Sequence, residues 1–568
     1  MAKAETGASA YDAIIIGTGQ AGPAMARRLA AAGMTVAIVE RALFGGTCVN
    51  TGCIPTKTLI ASAYAIHMAR RAADFGVAIH GPVRADMARV KARKDATSGQ
   101  SRVGVEESLK TLENCTICRG HARFVSPHEV QVGEALLTAE RIFINVGGRA
   151  VVPSWPGLDQ VAYLTNTSMM TVDFLPRHLV VVGGSYVGLE FAQMYRRFGS
   201  EVTVIEMGSR LIQREDPDVS AAVREILERE GVGIRVDATC VRVAKSGQDI
   251  VVGVDCTAGA PEIHGSHLLV AVGRRPNTDD LGLDRAGIRQ DERGYIVVDD
   301  QLRTNVPGVW ALGDCNGRGA FTHTAYNDFE IVAANLLDDD PRRLSDRITA
   351  YALYTDPPLG RAGLTEDQIR GSGRHALVAT RPMSRVGRAV EKGETQGFMK
   401  VLVDADNKEI LGAAILATGG GEVIHGILDV MYAKAPYTVV QRSMPIHPTV
   451  SELLPTLLGD LQPLRAQGRP GKFEGRFVRA FCPEFYVLDP LPGRVPGIHV
   501  LSQPRSLRRR RGWPDQVRPW DPHRFHRIAA WQPILLSAGM LLSGAFATAW
   551  RNPPESDRRN RCHAQGPT

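Results

Sequence analysis

Over much of this chain the apolar residues come in short, nearly continuous runs instead of long helical stripes. Residues 11–16 (YDAIII) and 35–40 (TVAIVE) are two such runs. Runs of this length bounded by turn residues predict strands buried on both faces, as in a parallel sheet. Between them PAMARRLAAAGM carries helical apolar spacing. The same order returns at 179–206, where LVVV is followed by a glycine turn, a helical stretch and EVTVIE. Further strand-like runs ending in glycine lie at 141–153 (RIFINVGGRAVVP), 267–277 (HLLVAVGRRPN) and 304–315 (TNVPGVWALGDC). From about residue 345 the pattern changes. Residues 400–417 predict a hairpin turning on Asp406-Asn407, and 421–433 a helix.

The turns carry chemistry. Gly17, Gly19 and Gly22 stand in GxGxxG spacing between strand and helix, and Glu40 follows 23 positions after Gly17 at the end of the next strand. A dinucleotide-binding βαβ unit requires this order: a tight turn, a backbone able to approach a pyrophosphate, close helix packing, and a carboxylate for ribose hydroxyls. In the second copy Gly183 and Gly188 keep the outer positions, Ser185 replaces the middle glycine, and Glu206 again lies 23 residues on. Two units imply two dinucleotides. Glu206 argues for NADH, because a carboxylate repels a 2′-phosphate, with Arg210 as a partial offset. Gly147 and Gly273 close strand-like runs where the chain leaves each unit, and Gly313-Asp314 places a carboxylate at a strand end. The predicted fold is α/β: two Rossmann-like dinucleotide-binding domains, the second inserted in the first, followed by a C-terminal α+β domain.

Cys48 and Cys53 lie in GGTCVNTGCIPTK (45–57), with Gly52 and Pro55 bracketing the second thiol ahead of a helix. A local disulfide at this spacing needs a distorted backbone, and a helix N-terminus favours the thiolate. Together with both nucleotide turns and Gly313-Asp314, this stretch resembles the pyridine nucleotide-disulfide oxidoreductase family, over residues ~11–462. The resemblance implies an FAD-binding domain over 1–152 that resumes at 277–344, an NAD(P)-binding domain over 153–276 and an interface domain over 345–464 that makes a homodimer. It implies FAD held by Gly17, Gly19, Gly22, Glu40, Gly46, Thr47, Lys57, Gly147, Gly313 and Asp314, and NADH or NADPH held by Gly183, Gly188, Glu206 and Gly273. By the same resemblance Cys53 faces the flavin, Cys48 exchanges with substrate, and Lys57 pairs with Glu190. In MPIHPTVSE, His447 stands five residues before Glu452. Imidazole suits proton transfer to a leaving thiolate, and a carboxylate can fix its tautomer. The HPTVSE match implies that this pair serves the other subunit's cysteines.

The implied activity is NAD(P)H:disulfide oxidoreduction on a small disulfide or thiol. The GRAVEKGETQGFMKV and FGGTCVNTGC stretches look most like bacterial relatives grouped with mercuric reductases. Mercuric reductases, however, carry a C-terminal vicinal cysteine pair and lack the HPT histidine, whereas this chain has no Cys-Cys and keeps His447. Mercuric reduction and a non-turnover redox-sensing flavoprotein are the alternatives. No metal site is expected: Cys115 and Cys118 form a lone CxxC without a second pair, read as a strand with incidental cysteines, and Cys240, Cys256 and Cys315 as small core residues. DDDPRRLSDR (338–347) is read as a solvated linker.

Composition changes the picture at one end only. The net charge of +7 is unevenly distributed: residues 465–568 hold 18 basic and 7 acidic residues, leaving 49 and 53 in 1–464. The enzyme portion is mildly acidic, so the charge does not argue for a nucleic-acid partner. The tail has 17 arginines to one lysine and 13 of the 33 prolines. It is expected to be a disordered, even out-of-frame, extension. A membrane segment over 528–550 is the alternative, with a nucleic-acid-binding arm as a third reading. With nine cysteines and no apolar leader at the N-terminus, the expected location is the cytoplasm.

Overall fold

The computed structural model describes residues 8–255 and 261–465, and only the backbone of Cys240. The isoleucine run becomes the central strand β1 (Ser9–Ile16), followed by α1 (Ala21–Ala31) and β2 (Val36–Glu40). β1 pairs in parallel with β2 on one side and with the strand Ala135–Ile144 on the other. The sheet runs Cys115–Arg119, β2, β1, Ala135–Ile144, Glu129–Val132, Ala122–Ser126, and Val309–Ala311 also joins Ala135–Ile144 in parallel. Ile14 and Ile16 enter one core with Phe124, Val130 and Ile142. Ala13 and Ile15 enter another with Met25, Leu29 and Val332. Burial on both faces is why the run shows no polar alternation. Met25, Ala26 and Leu29 form the buried stripe of α1, and each large side chain contributes roughly 1.5–3 kcal/mol.

The second copy builds its own parallel sheet, in the order Gly233–Arg235, Glu201–Ile205, His178–Val182, His267–Val270. A three-stranded antiparallel sheet, Thr239–Ser246, Asp249–Asp255 and Glu262–Gly265, covers one side. The chain leaves the first lobe along Gly148–Ala150 and returns along Arg274–Pro276, and these strands pair antiparallel with Arg275 opposite Arg149. One lobe is thus inserted in the other.

The third lobe is a six-stranded antiparallel sheet in the order Ala350–Leu353, Leu359–Gly363, Ile410–Leu416, Phe398–Asp404, Ala376–Pro382, Gln462–Pro463. Its central hairpin turns through Asp406 and Asn407, whose amides donate to the Asp404 side chain, and Lys408 takes the left-handed conformation. The helix Gly420–Tyr432 packs on this sheet through Ile424 and Ile427.

One expectation needs amending at its end, and others fall outside the described residues. Most of the segment 338–347 is exposed, as a solvated linker requires, but its last residue, Arg347, is nearly buried and donates to Asp328, a carboxylate with 2% exposure. The lone CxxC falls on the strand Cys115–Arg119 as expected and Cys315 is buried, but Cys256 and the Cys240 side chain lie outside the described residues. So does the tail beyond Arg465, including 528–550. Among the described residues, no helix is long and apolar enough to cross a membrane.

Candidate active site

The two nucleotide turns share one construction. Gly17 has φ +107° and a Cβ there would lie 2.3 Å from the Asn145 carbonyl oxygen; Gly183 has φ +122° and would meet the Ala271 oxygen at the same 2.3 Å. A Cβ on Gly22 or Gly188 would strike the first glycine's carbonyl at 2.2 and 2.0 Å. These clashes fix glycine at both outer positions of each motif. The carboxylates are placed alike. Glu40 accepts from the Thr18 amide and hydroxyl, and Glu206 from the Gly184 amide at 2.7 Å and the Gly208 amide at 2.8 Å.

Both helices that follow begin with neither a side-chain cap nor an acidic residue in the first turn. Apart from the Gly22 amide, which donates to Asn145, their first-turn amides have no side-chain acceptor among the described residues, and an acceptor is what a pyrophosphate supplies. The first turn opens on a cleft of about 1090 Å³, a size suited to a dinucleotide. Gly17, Gly19, Glu40, Gly46, Thr47, Lys57, Gly147, Gly313 and Asp314 line it, together with Cys48, Cys53 and Glu190. Gly22 lies behind the turn. Gly273, with φ +135°, accepts from the Val151 amide beside the crossing strands. These residues fit FAD in the first lobe and a nicotinamide nucleotide on the second.

Several residues that hold the cleft have no local sequence signal. Asn145, at the end of a strand, accepts from the Gly22 amide at 3.1 Å and donates to the Leu312 carbonyl at 2.9 Å, tying the first turn to the Gly313-Asp314 turn. Asp328 accepts from the Gly313 amide at 2.7 Å and is backed by Arg347. Burial pushes the Asp314 carboxyl upward against the opposing pull of Arg274, 3.4 Å away.

The redox loop is not one helix start but two. Cys48 sits in a short helix, α2 (Gly46–Asn50), and Cys53 is the first residue of α3 (Cys53–Arg70). Gly45, at φ +90°, lets the chain turn into α2. A Cβ on Gly52 would lie 2.9 Å from the Thr47 oxygen, so glycine is required at this position. Both cysteines are free thiols, and the Cys53 sulfur lies 3.0 Å from the Thr322 hydroxyl. Their acidities diverge. The hydrogen bond from Cys48, with help from Thr322 and the Lys57 charge, brings Cys53 down to about 6, while the same bond and burial push Cys48 up. The arrangement therefore favours the thiolate on Cys53 over Cys48. Lys57 Nζ is 2.6 Å from Glu190 Oε2 and 4.6 Å from the Tyr354 ring centroid, and the Tyr354 amide donates to Glu190 Oε1 at 3.0 Å. In the reduced protein, ultraviolet thiolate absorbance is expected to titrate close to pH 6. It should vanish in Cys53→Ser; a transition above about pH 8 alone would contradict the assignment.

His447 is elsewhere. It is 79% exposed, its Nδ1 lies 2.8 Å from Glu452 Oε2, and neither residue lines the cleft of its own chain. Glu452 can only accept, so Nδ1 carries a proton and Nε2 is left for chemistry. Arg210 does not offset Glu206: its guanidinium donates to the Gln213 and Glu215 carbonyls.

Residues 11–328 match the family model for pyridine nucleotide-disulphide oxidoreductase, and residues 349–458 the model for that family's dimerisation domain. The chain is 36% identical over 459 residues to the probable pyridine nucleotide-disulfide oxidoreductase RclA of Escherichia coli (strain K12), spanning 78% of this chain and 98% of that protein. It is 36% identical to a mercuric reductase of Streptomyces lividans (80% and 96% covered) and 33% identical to a dihydrolipoyl dehydrogenase of Thermus scotoductus (78% and 95%). The solved structure of the HOCl-induced flavoprotein disulfide reductase RclA from Escherichia coli aligns with a TM-score of 0.72 at 35% identity, covering 79% of this chain and 99% of that one. A Cu(II) complex of the same protein aligns equally well.

Proposed function

The chain belongs to the pyridine nucleotide-disulphide oxidoreductases and is an FAD-dependent NAD(P)H:disulfide oxidoreductase; from that premise we propose that Cys48 and Cys53 are its redox pair. The observation that carries the proposal is the placement of two free thiols in one cleft with the first nucleotide turn, the Cys53 sulfur 3.0 Å from the Thr322 hydroxyl. FAD, when bound, supplies a two-electron relay between the nicotinamide and this pair. The net reaction is NAD(P)H + H⁺ + RSSR → NAD(P)⁺ + 2 RSH.

The chain's own residues then have distinct tasks. His447 of a second subunit takes the Cys48 proton, and the Cys48 sulfur attacks the substrate disulfide. The first thiolate to leave receives that proton from the imidazolium, which Glu452 stabilises. The Cys53 thiolate attacks the Cys48 sulfur, re-forms the Cys48–Cys53 disulfide and releases the second thiolate, which takes a proton from solvent. Lys57, held in place by Glu190, favours the Cys53 thiolate through its charge. The dimerisation-domain match supports a homodimer, and the exposure of His447 supports its use in trans. Residues 1–152 with 277–344, 153–276 and 345–464 are proposed as the FAD, nicotinamide and interface domains, and the cytoplasm as the location.

Glu206 makes NADH the preferred donor, since Arg210 is bonded away from it. Glu206→Ala is expected to narrow the NADH-over-NADPH preference in kcat/KM by about ten-fold; an unchanged ratio would remove Glu206 from the nucleotide site. The substrate class is tested by NADH oxidation with lipoamide, glutathione disulfide, mercuric ion, Cu(II) and quinones as acceptors. Turnover with a small disulfide supports the proposal. Turnover with metal ions alone would support the mercuric-reductase-like alternative, and no steady NADH consumption with any acceptor would favour a redox sensor.

A further inference from the structure

Glu215 lies on the loop before the helix Pro217–Arg229 of the second lobe, and its side chain is fully buried. Its Oε1 accepts from the Tyr351 hydroxyl at 2.6 Å and from the Tyr186 hydroxyl at 3.2 Å. Its Oε2 has no hydrogen-bond partner among the described residues; the nearest charge is Arg361 Nε at 3.9 Å, itself unpartnered and buried. Arg361 continues to Asp216 at 3.3 Å, and Asp216 to the buried Lys400 at 2.9 Å. Lys400 occupies the centre of the Asp216, Asp218 and Glu366 carboxylates, so that acidic cluster already has its cation.

A buried carboxylate with an open oxygen is a poor stabiliser, because desolvation offsets most of the attraction. What it does locally is hold two packed tyrosines, of which Tyr186 lines the cleft. Tyr186 is the first residue of its helix, one turn before Glu190, and both line the cleft. Its ring packs on Tyr351 at 5.5 Å and edge-on to Phe321 at 6.2 Å, and Phe321 stacks on Tyr351 at 5.4 Å. Three lobes therefore contribute to one aromatic wall, whose hydroxyls end on a single carboxylate oxygen.

We propose that Glu215 is a positioning residue for the nicotinamide nucleotide: it fixes the Tyr186 ring at the junction of the two dinucleotide sites, so that the ordering of that wall precedes binding. This rests on placing the nucleotide at the Gly183–Glu206 turn. Without the carboxylate the wall must be ordered at each binding event, and the loss falls on affinity and not on sulfur chemistry.

The test uses the FAD-loaded enzyme with NADH as varied substrate and NAD⁺ as calorimetric ligand. Tyr186→Phe keeps the ring and removes the hydroxyl; it is expected to raise KM for NADH and Kd for NAD⁺ about ten-fold, with kcat changed less than about two-fold. Glu215→Gln, a neutral acceptor, is expected to give about a third of that effect or more, and the double variant no more than Tyr186→Phe alone. Multiplying effects in the double variant, a fall in kcat at constant KM, or a lowered melting temperature with unchanged Kd would each overturn the proposal. Should Glu215→Gln fail to fold, Tyr186→Phe and Tyr351→Phe, which leave the carboxylate in place, are compared, and an unchanged Kd in Tyr186→Phe overturns the proposal by itself. Failure of the underlying placement shows differently: Glu206→Ala would then leave Kd for NAD⁺ unchanged.

Discussion

Replacing Cys48 or Cys53 by serine is expected to stop disulfide reduction while the protein keeps its FAD. A serine hydroxyl in either position can neither ionise near neutral pH nor close the redox disulfide, so turnover should fall by at least about 10³-fold, or about 4 kcal/mol of barrier. FAD retention follows from the architecture. The cysteines line one wall of the cleft, whereas the turn at Gly17–Gly22, Glu40 and the Gly313-Asp314 turn are held independently by Asn145, Thr18 and Asp328. The measurement is the ratio of flavin absorbance to protein alongside disulfide-dependent NADH oxidation. The variants should also differ from each other: Cys48→Ser keeps Lys57 and Thr322 against Cys53 but loses the Cys48 thiol as donor. Undiminished reduction in Cys48→Ser would refute the route, and loss of flavin in both would show that the loop is structural.

His447→Ala is expected to lower kcat by about 10²–10⁴-fold, the range for a missing general acid–base, with a smaller loss in Glu452→Ala. The informative arm is mixing. If the imidazole serves the neighbouring subunit, heterodimers of Cys48→Ser and His447→Ala chains contain one intact site, formed by the second chain's cysteines and the first chain's histidine. Co-expression should then recover activity absent from either homodimer. No recovery in verified heterodimers would place His447 outside the sulfur chemistry of the partner.

The nucleotide turns were legible because their grammar is short-ranged: strand, glycines, helix, strand and carboxylate occupy no more than thirty consecutive residues in each copy, 11–40 and 179–206. The inserted order was legible too, since each copy ends in strand-like runs that close on glycine. Residues that work through long-range contacts were not. Asn145 meets Gly22 across 123 positions, Thr322 meets Cys53 across 269, and Tyr351 meets Glu215 across 136. Nothing in the neighbours of a lone asparagine or threonine signals such a partner. Arg347 misled for the opposite reason: its charged surroundings resemble a solvated face, but its own carboxylate partner is buried fifteen residues after Gly313, which that partner also holds. The short helix under Cys48 escaped because five residues are too few for periodicity to show.

The paired strands Gly148–Ala150 and Arg274–Pro276 bring the entry and exit of the second lobe side by side, with the Val151 amide 3.0 Å from the Gly273 carbonyl oxygen. A host that receives an insertion through two adjacent ends spans no new gap, so the chain-closure entropy of its own fold is nearly independent of what is inserted. The same ends do not make the second lobe freely exchangeable: a lobe grafted at Val151 and Gly273 would also have to rebuild the shared core, in which Leu59 and Ala63 pack with Leu189 and Leu359, and the pairs Arg197–Asp356 and Asp216–Lys400.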